Sequence, residues 1–311
     1  MSDSSRHDLY QVPEAAYGVT PANPDFDKVR HTSTSLGLAK ETAVSEELRG
    51  DRQINCFRHG LKQVGGDIGF ELSYGSYDSQ LEAVLLGTWD DDAGGAGIDV
   101  LKAGVTRRSF SLMRHFTDQV AADKPFHVFN GVEYNTFNIT VGPTAIVTGS
   151  FTVLGRDLEL STTAPAGSTL GVPSENCPFS GFSGVIREGG AIIGILTEIS
   201  LTLENGLAVR PVIGDARTIK PQIGRSNLTG QVTAYFENSA LLEKFINETA
   251  SSLEFELADS THKYVFNLPN IKYNGGQPDT SGQGAISLAL PIQALYDADD
   301  ESNIVITRQA I

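Results

Sequence analysis

Residues 64–72 read VGGDIGFEL and residues 228–236 read LTGQVTAYF, and in both an apolar residue recurs at every second position: Ile68, Phe70 and Leu72 in the first, Val232 and Phe236 in the second. A period of two describes a strand with one buried face. The two segments lie 164 residues apart, and that offset also sets RGDRQ (49–53) on IGDAR (213–217), with Gly50 on Gly214 and Asp51 on Asp215. TSTSLGL (32–38) and TEISLTL (197–203) share one rhythm, Thr34, Leu36 and Leu38 against Ile199, Leu201 and Leu203. HVFNGVEYN (127–135) likewise resembles YVFNLPNIKYN (264–274). A chain that writes the same strands twice, in the same order, is constrained to a duplicated β-rich unit.

Each copy predicts a strand, a long polar connection, a second strand, a helix and then a run of strands. In the first copy the strands fall near 29–38 and around 68–72, with KETAVSEELRGDRQINCFRHG between them, too long for a tight turn. Tyr77, Leu81, Val84 and Leu85 share one face of a helix over 77–87, and DDDAGGAG (90–97) is an acidic loop absent from the second copy. Strands are expected at 105–116, 126–139 and 145–154. STTAPAGSTLGVPSENCP (161–178) has no hydrophobic period and reads as a linker. Beyond it come a strand at 195–203, a connection at 205–227, a strand at 231–237, a helix at 239–248, and strands at 252–257, 263–268 and 285–292. The expected division is an N-terminal arm (1–25), a first domain (26–160), a linker (161–183), a second domain (184–296) and a C-terminal arm (297–311), all mainly β.

The formal charge of −15 argues against binding nucleic acid by phosphate neutralisation, which needs a basic surface. It leaves room for DNA to pass without sticking. No apolar run is long enough for a membrane span and the first residues carry no signal core, so a cytoplasmic protein is expected. Two cysteines, Cys56 and Cys177, make no disulfide framework. The histidines, His7, His31, His59, His115, His127 and His262, include no zinc-binding spacing, and no phosphate loop or GxSxG elbow occurs. DDD (90–92) and DADDE (297–301) lack the ligand pattern of a calcium loop. RGD at 49–51 shares its Gly and Asp with the second copy but not its Arg, so it reads as loop geometry rather than an adhesion motif. The chain offers no catalytic or cofactor signature.

The stretch from EAAYGVTP through SLGLAKETAVSEELRGDRQ, VGGDIGFEL and YDSQLEAVLLG resembles the tail tube proteins of long-tailed, non-contractile bacteriophages, and the ending PIQALYDADD fits the same pattern. The resemblance implies tandem β-sandwich or barrel-like domains, each with a flanking helix and a long loop, in a structural virion protein without enzymatic activity, cofactor or metal. It also implies rings that stack into a hollow tube for DNA ejection, with the tape measure protein and phage DNA in the lumen and tail tip and terminator proteins at the ends. Localisation would be the virion tail, after assembly in the host cytoplasm. With a duplicated unit, a trimeric ring of approximate sixfold symmetry follows; a hexamer whose second half is a divergent outer domain is the other arrangement. Another virion β-protein, such as a capsid decoration protein or a tail-tip adhesin, is the alternative function.

On that reading the faces opposite the apolar stripes carry Asp67, Glu71, Glu198, Glu204 and Glu237, the candidate lumen-facing acidic residues. The candidate ring-stacking residues are Lys40, Glu41, Glu46, Glu47, Arg49, Asp51, Arg52 and Arg58 in the first long connection, and Arg210, Asp215, Arg217 and Lys220 in the second.

Overall fold

The computed structural model describes residues 3–181, 184–279 and 284–311. In chain order the strands are β1 (His7–Pro13), β2 (Asp25–Val29), β3 (Ser33–Thr34), β4 (Gly37–Val44), β5 (Phe57–Glu71), β6 (Ile98–Lys102), β7 (Phe110–Phe116), β8 (Phe126–Val141), β9 (Thr148–Gly155) and β10 (Asp157–Ser161). They continue with β11 (Thr169–Leu170), β12 (Val185–Glu188), β13 (Ala191–Ile192), β14 (Leu196–Glu204), β15 (Asn227–Tyr235), β16 (Ser251–Ala258), β17 (His262–Tyr273), β18 (Pro278–Asp279), β19 (Ser287–Ala294) and β20 (Val305–Ala310). Helix α1 (Asp78–Leu85) follows β5, and α2 (Ala240–Ile246) follows β15. The chain is mainly β, and its strands are linked into one open sheet.

Within that sheet β3 and β4 pair with β5, β5 with β9, and β9 with β8. After them β14 pairs with β15, β15 with β19, and β19 with β17. The two groups join where β8 meets β14, antiparallel from Thr136 opposite Glu204 to Val141 opposite Ile199. Flanking strands recur as well. β7 and β10 lie on β8 as β16 and β20 lie on β17, and β1 lies on β7 as β12 lies on β16. Even the close contacts correspond: a Cβ on Gly66 would sit 2.7 Å from the Leu36 Cα, and one on Gly230 would sit 2.5 Å from the Ser200 carbonyl oxygen. Both glycines let a neighbouring strand approach closer than any side chain permits.

Alternation places one face of this sheet in a single apolar core. Ile68, Phe70, Phe137, Ile139, Phe151, Ile199, Leu201, Leu203, Val232, Leu290 and Ile292 all belong to one buried cluster that draws on both halves of the chain. Burial of each such side chain is worth about 1.5–3 kcal/mol. Rings of Phe70 and Phe151 stack at 4.7 Å between centroids, and Phe137 joins them at 5.4 Å from Phe151. Tyr77, Leu81, Val84 and Leu85 of the α1 region are buried as their spacing predicts, and the helix ends at Leu86, whose φ of 54° turns the chain left-handed.

Four segments differ from their expected form. Residues 7–13, expected within an extended arm, form β1 between β2 and β7, with Leu9, Tyr10, Gln11 and Val12 all buried. Residues 305–310, also expected in an arm, form β20 between β17 and β6. The connection expected over 39–63 is mostly a two-stranded hairpin, since β4 and β5 pair as far out as Val44 opposite Phe57. The Ser/Thr/Pro/Gly-rich stretch is pinned rather than loose. β11 pairs parallel with β2, Arg30 donates to the Asn176 carbonyl at 2.5 Å, and the buried Phe179 exchanges backbone bonds with Leu72 and Val147. Lack of hydrophobic period there reflects anchoring by backbone and polar side-chain bonds, such as Asn176 Nδ2 donating to the Tyr74 carbonyl at 2.8 Å, rather than by an alternating apolar face.

Candidate functional site

Opposite the core, the continuous sheet presents a polar face whose rows cross from one half of the chain to the other. They read Asp67, Thr152, Thr136, Glu204; then Gly69, Ser150, Asn138, Thr202, Thr229; then Glu71, Thr148, Thr140, Ser200, Gln231. Paired residues in antiparallel strands put their side chains on the same face, so each row is a line of neighbours. Bonds run along these rows. Thr202 Oγ1 donates to Asn138 Oδ1 at 2.8 Å, Asn138 Nδ2 donates to Ser150 Oγ at 3.1 Å, and Thr152 Oγ1 donates to Asp67 Oδ1 at 2.5 Å. The ladder spans β9, β8 and β14 and so stitches the junction between the two halves.

Segments 64–71, 134–141, 148–155, 196–204, 227–235 and 287–294 contain no Lys or Arg, and their only charged residues are Asp67, Glu71, Glu198 and Glu204. Asp67, Glu198 and Glu204 are exposed and Glu71 is half-buried. Asp67 and Glu204 end one row, separated by three inter-strand steps or about 14 Å. Carboxylates thus stand apart on a field of hydroxyls and amides. Glu237 is exposed just beyond the end of β15, outside these rows.

The two connections form separate features. Lys40 and Glu41 lie on β4, Arg58 on β5, and Glu46, Glu47, Arg49, Asp51 and Arg52 on the turn between them, all exposed. No face of this hairpin beyond Ala39 is buried, and its outer end exposes Val44 (51%), Leu48 (99%), Ile54 (70%) and Phe57 (54%). An isolated two-stranded hairpin is only marginally stable in water. Arg210, Asp215, Arg217 and Lys220 sit on the loop between β14 and β15, where Arg217 bonds Asp215 at 3.0 Å and reaches Asp157 at 3.5 Å. Lys62 of β5 also pairs with Asp157, at 3.2 Å, so this loop is tied to the hairpin's base. Asp51 and Asp215 make the same local turn: each accepts the backbone N–H two residues on, from Gln53 and Arg217.

One cluster escapes sequence reading because its members are far apart in the chain. Arg114 Nε donates to His7 Nε2 at 2.9 Å, His7 Nδ1 lies 3.0 Å from His31 Nε2, and His31 Nδ1 lies 3.2 Å from the Val29 carbonyl oxygen. A guanidinium only donates, so His7 Nε2 is bare and both imidazoles are neutral with the proton on Nδ1. Burial, then Arg114, pushes the His7 pKa down to about 4. The three side chains, with Thr34 and Phe116, line a cleft of about 350 Å³ beside β3.

Among the described residues no group of three or more His, Cys, Asp or Glu is placed to hold a metal ion, and no helix is long and apolar enough to cross a membrane. Cys56 and Cys177 are both exposed and unpaired. A family model described as phage tail tube protein matches residues 4–294. No curated protein matches the chain.

Proposed function

The chain belongs to the phage tail tube protein family, and from that premise we propose that copies of it close into stacked rings whose bore is lined by the polar face of β5, β9, β8, β14 and β15. The observation that carries this reading is the continuity of that face across both halves of the chain, without Lys or Arg over residues 64–71, 148–155, 134–141, 196–204, 227–235 and 287–294 and with Lys272, opposite Gln293 at the end of the Thr229 row, as the basic residue that β17 adds. A wall of hydroxyls and amides on which four carboxylates outnumber Lys272 gives DNA phosphates little to bind, since non-specific affinity comes from basic side chains and counterion release. DNA leaving for the host passes such a wall without being held. Asp67, Glu71, Glu198 and Glu204 are the lumen-facing charges on this reading, with Glu237 at the rim.

The recurring pattern of strand neighbours, the matched glycines and the two Asp turns support a duplicated tandem unit, each copy contributing four strands to the wall. Three subunits would make a pseudo-sixfold ring of 24 strands, about 48 Å across its backbone for strands spaced about 4.8 Å and tilted about 40°. The β4–β5 hairpin and the β14–β15 loop are the ring-stacking elements. Their exposed apolar tips and half-paired charges are complete only against another ring. Tape measure, tail tip and terminator proteins would meet the lumen and the two tube ends.

Negative-stain microscopy of the purified protein tests the proposal: hollow tubes with three subunits per ring are expected, whereas persistent monomers or isolated trimers would favour a decoration or adhesin role. The lumen assignment has its own test. Asn138→Lys with Thr202→Lys should make the tubes retain duplex DNA at low salt, and tubes that stay inert would place this face elsewhere.

A further inference from the structure

Asparagine followed directly by glycine occurs three times in the chain, as Asn130 with Gly131, Asn205 with Gly206 and Asn274 with Gly275. Such a pair carries chemistry of its own. Glycine has no Cβ to shield its amide nitrogen, which can therefore reach the side-chain carbonyl carbon of the preceding asparagine wherever the backbone is free to turn. The fold treats the three pairs differently.

Two are locked. Asn130 lies within β8, paired with Asp157 of β10, and the N–H of the buried Gly131 donates to Glu14 Oε1 at 2.8 Å. Asn205 is 2% exposed, its Nδ2 donates to the Val84 carbonyl at 2.7 Å, and its backbone N–H and carbonyl bond Asn135 and Gly224. In the first pair the attacking nitrogen is held and in the second the amide is held, so reaction at either requires the surrounding strands to open.

The third is open. β17 ends at Tyr273, and the Asn274 N–H donates to the Pro291 carbonyl at 2.8 Å, but among the described residues neither the exposed Asn274 side chain nor the Gly275 N–H has a hydrogen-bond partner. Tyr273 faces Ile292 and Pro278 faces Leu288, so five residues of one strand advance against four of the other. The extra residue makes a bulge, with Gly276 at a φ of 133°. Backbone freedom, exposure and an unengaged nitrogen thus coincide at this pair alone.

We propose that Asn274 is a self-modification site: the Gly275 nitrogen attacks the Asn274 side-chain carbonyl carbon, ammonia leaves, and water opens the cyclic imide to aspartate or isoaspartate. The bond from that carbon to the Gly275 nitrogen forms as its bond to Nδ2 breaks, the Gly275 proton departs with the ammonia, and one water is consumed. Nothing is oxidised or reduced.

The product is a carboxylate at a defined place on the polar face. Gln231 faces Pro291, so the row that runs from Glu71 through Thr148, Thr140, Ser200 and Gln231 ends at Asn274. Lys272 stands on the same face two residues earlier, about 7 Å away along the strand. A carboxylate here offsets the basic residue that β17 adds. On the bore reading above, on which this consequence alone rests, the wall loses its hold on phosphates as the protein ages.

Peptide mapping by mass spectrometry of dispersed subunits held at about pH 8 and 37 °C tests the chemistry. Conversion at Asn274 should outpace that at Asn130 and Asn205 by at least about tenfold, and the three should converge in urea, where the protecting structure is lost. Gly275→Ala should slow conversion several-fold and leave thermal unfolding unchanged, since a Cβ there meets nothing nearer than Pro291 at 3.8 Å. Equally slow conversion at all three sites of the folded protein, or unchanged conversion in Gly275→Ala, would overturn the proposal. Asn274→Asp tubes should retain less duplex DNA at low salt than Gly275→Ala tubes. Equal retention would overturn the effect on the wall and leave the modification standing, whereas absence of tubes would overturn the ring reading without touching the peptide result.

Discussion

Replacing His7 with glutamine should flatten the acid limb of the stability curve. His7 must stay neutral because Arg114 Nε–H points at its Nε2, and a second proton there would set two donors and two positive charges against each other. Burial is the largest influence on its pKa, followed by Arg114 and His31, with His127 adding in the same direction and Asp8 opposing. Lys28, also close by, holds the Asp8 carboxyl below its ordinary range although burial opposes this, so Asp8 stays charged through the window that matters. The unfolded chain takes up the His7 proton near pH 6.5, the folded chain only near 4. Its contribution is therefore fully present above pH 6.5 and disappears as pH falls toward 4. A shift from 6.5 to about 4 corresponds to at most about 3.4 kcal/mol, and half-exposure reduces that to about 1.5 kcal/mol. His31, His115 and His127 are lowered by burial too and add loss of the same sign, so the useful quantity is the difference between proteins. Glutamine can accept from Arg114 and donate to His31 without titrating. Urea unfolding from pH 7.5 to 4.5 should show the His7→Gln protein losing about 1.5 kcal/mol less than the parent. Equal losses in the two proteins would refute the proposed protonation state.

Arg107→Met should cost about 3–5 kcal/mol, because Glu133 is 4% exposed and loses the guanidinium that holds it by its Nε at 3.1 Å. Burial already raises the Glu133 pKa despite that partner, and adding Glu133→Gln should recover most of the loss in thermal unfolding. Gly230→Ala should destabilise by about 1–3 kcal/mol in the same assay through its clash with the Ser200 carbonyl, while Gly142→Ala, which meets nothing within 4 Å, should be neutral. Leu48→Ser with Ile54→Ser should leave subunit unfolding unchanged. If stacking buries both, losing about 3 kcal/mol should raise the critical concentration for tube growth about 100-fold, measured by sedimentation.

Sequence reading reached the strands whose two faces differ. β5, β14 and β15 bury one face and expose the other, so alternation revealed both the strands and the side on which Asp67, Glu198 and Glu204 stand. It failed where both faces meet the same environment. In β1 four consecutive residues are buried, and the outer β4–β5 hairpin is exposed on every side, so neither has a hydrophobic period. β20 was obscured by Thr307 and Arg308, yet Arg308 is held by Asp99 at 2.8 Å and lies over the Trp89 ring at 4.5 Å. The Arg114–His7–His31 relay was invisible because its members are brought together only by pairing of β1 with β7 on one side and with β2, which His31 follows, on the other. The similarity of 127–135 to 264–274, in contrast, agrees with the strand registers, which independently set Tyr134 on Tyr273.

Antiparallel pairing of β8 with β14 has a kinetic meaning. That seam joins parts of one molecule, so it closes during folding at a rate independent of how many subunits are present. In a ring of three such molecules only alternate seams remain to be formed by collision, and nucleation would rise with the third power of concentration where six separate units would need the sixth. Tail growth could then begin in a cell long before its subunits become abundant.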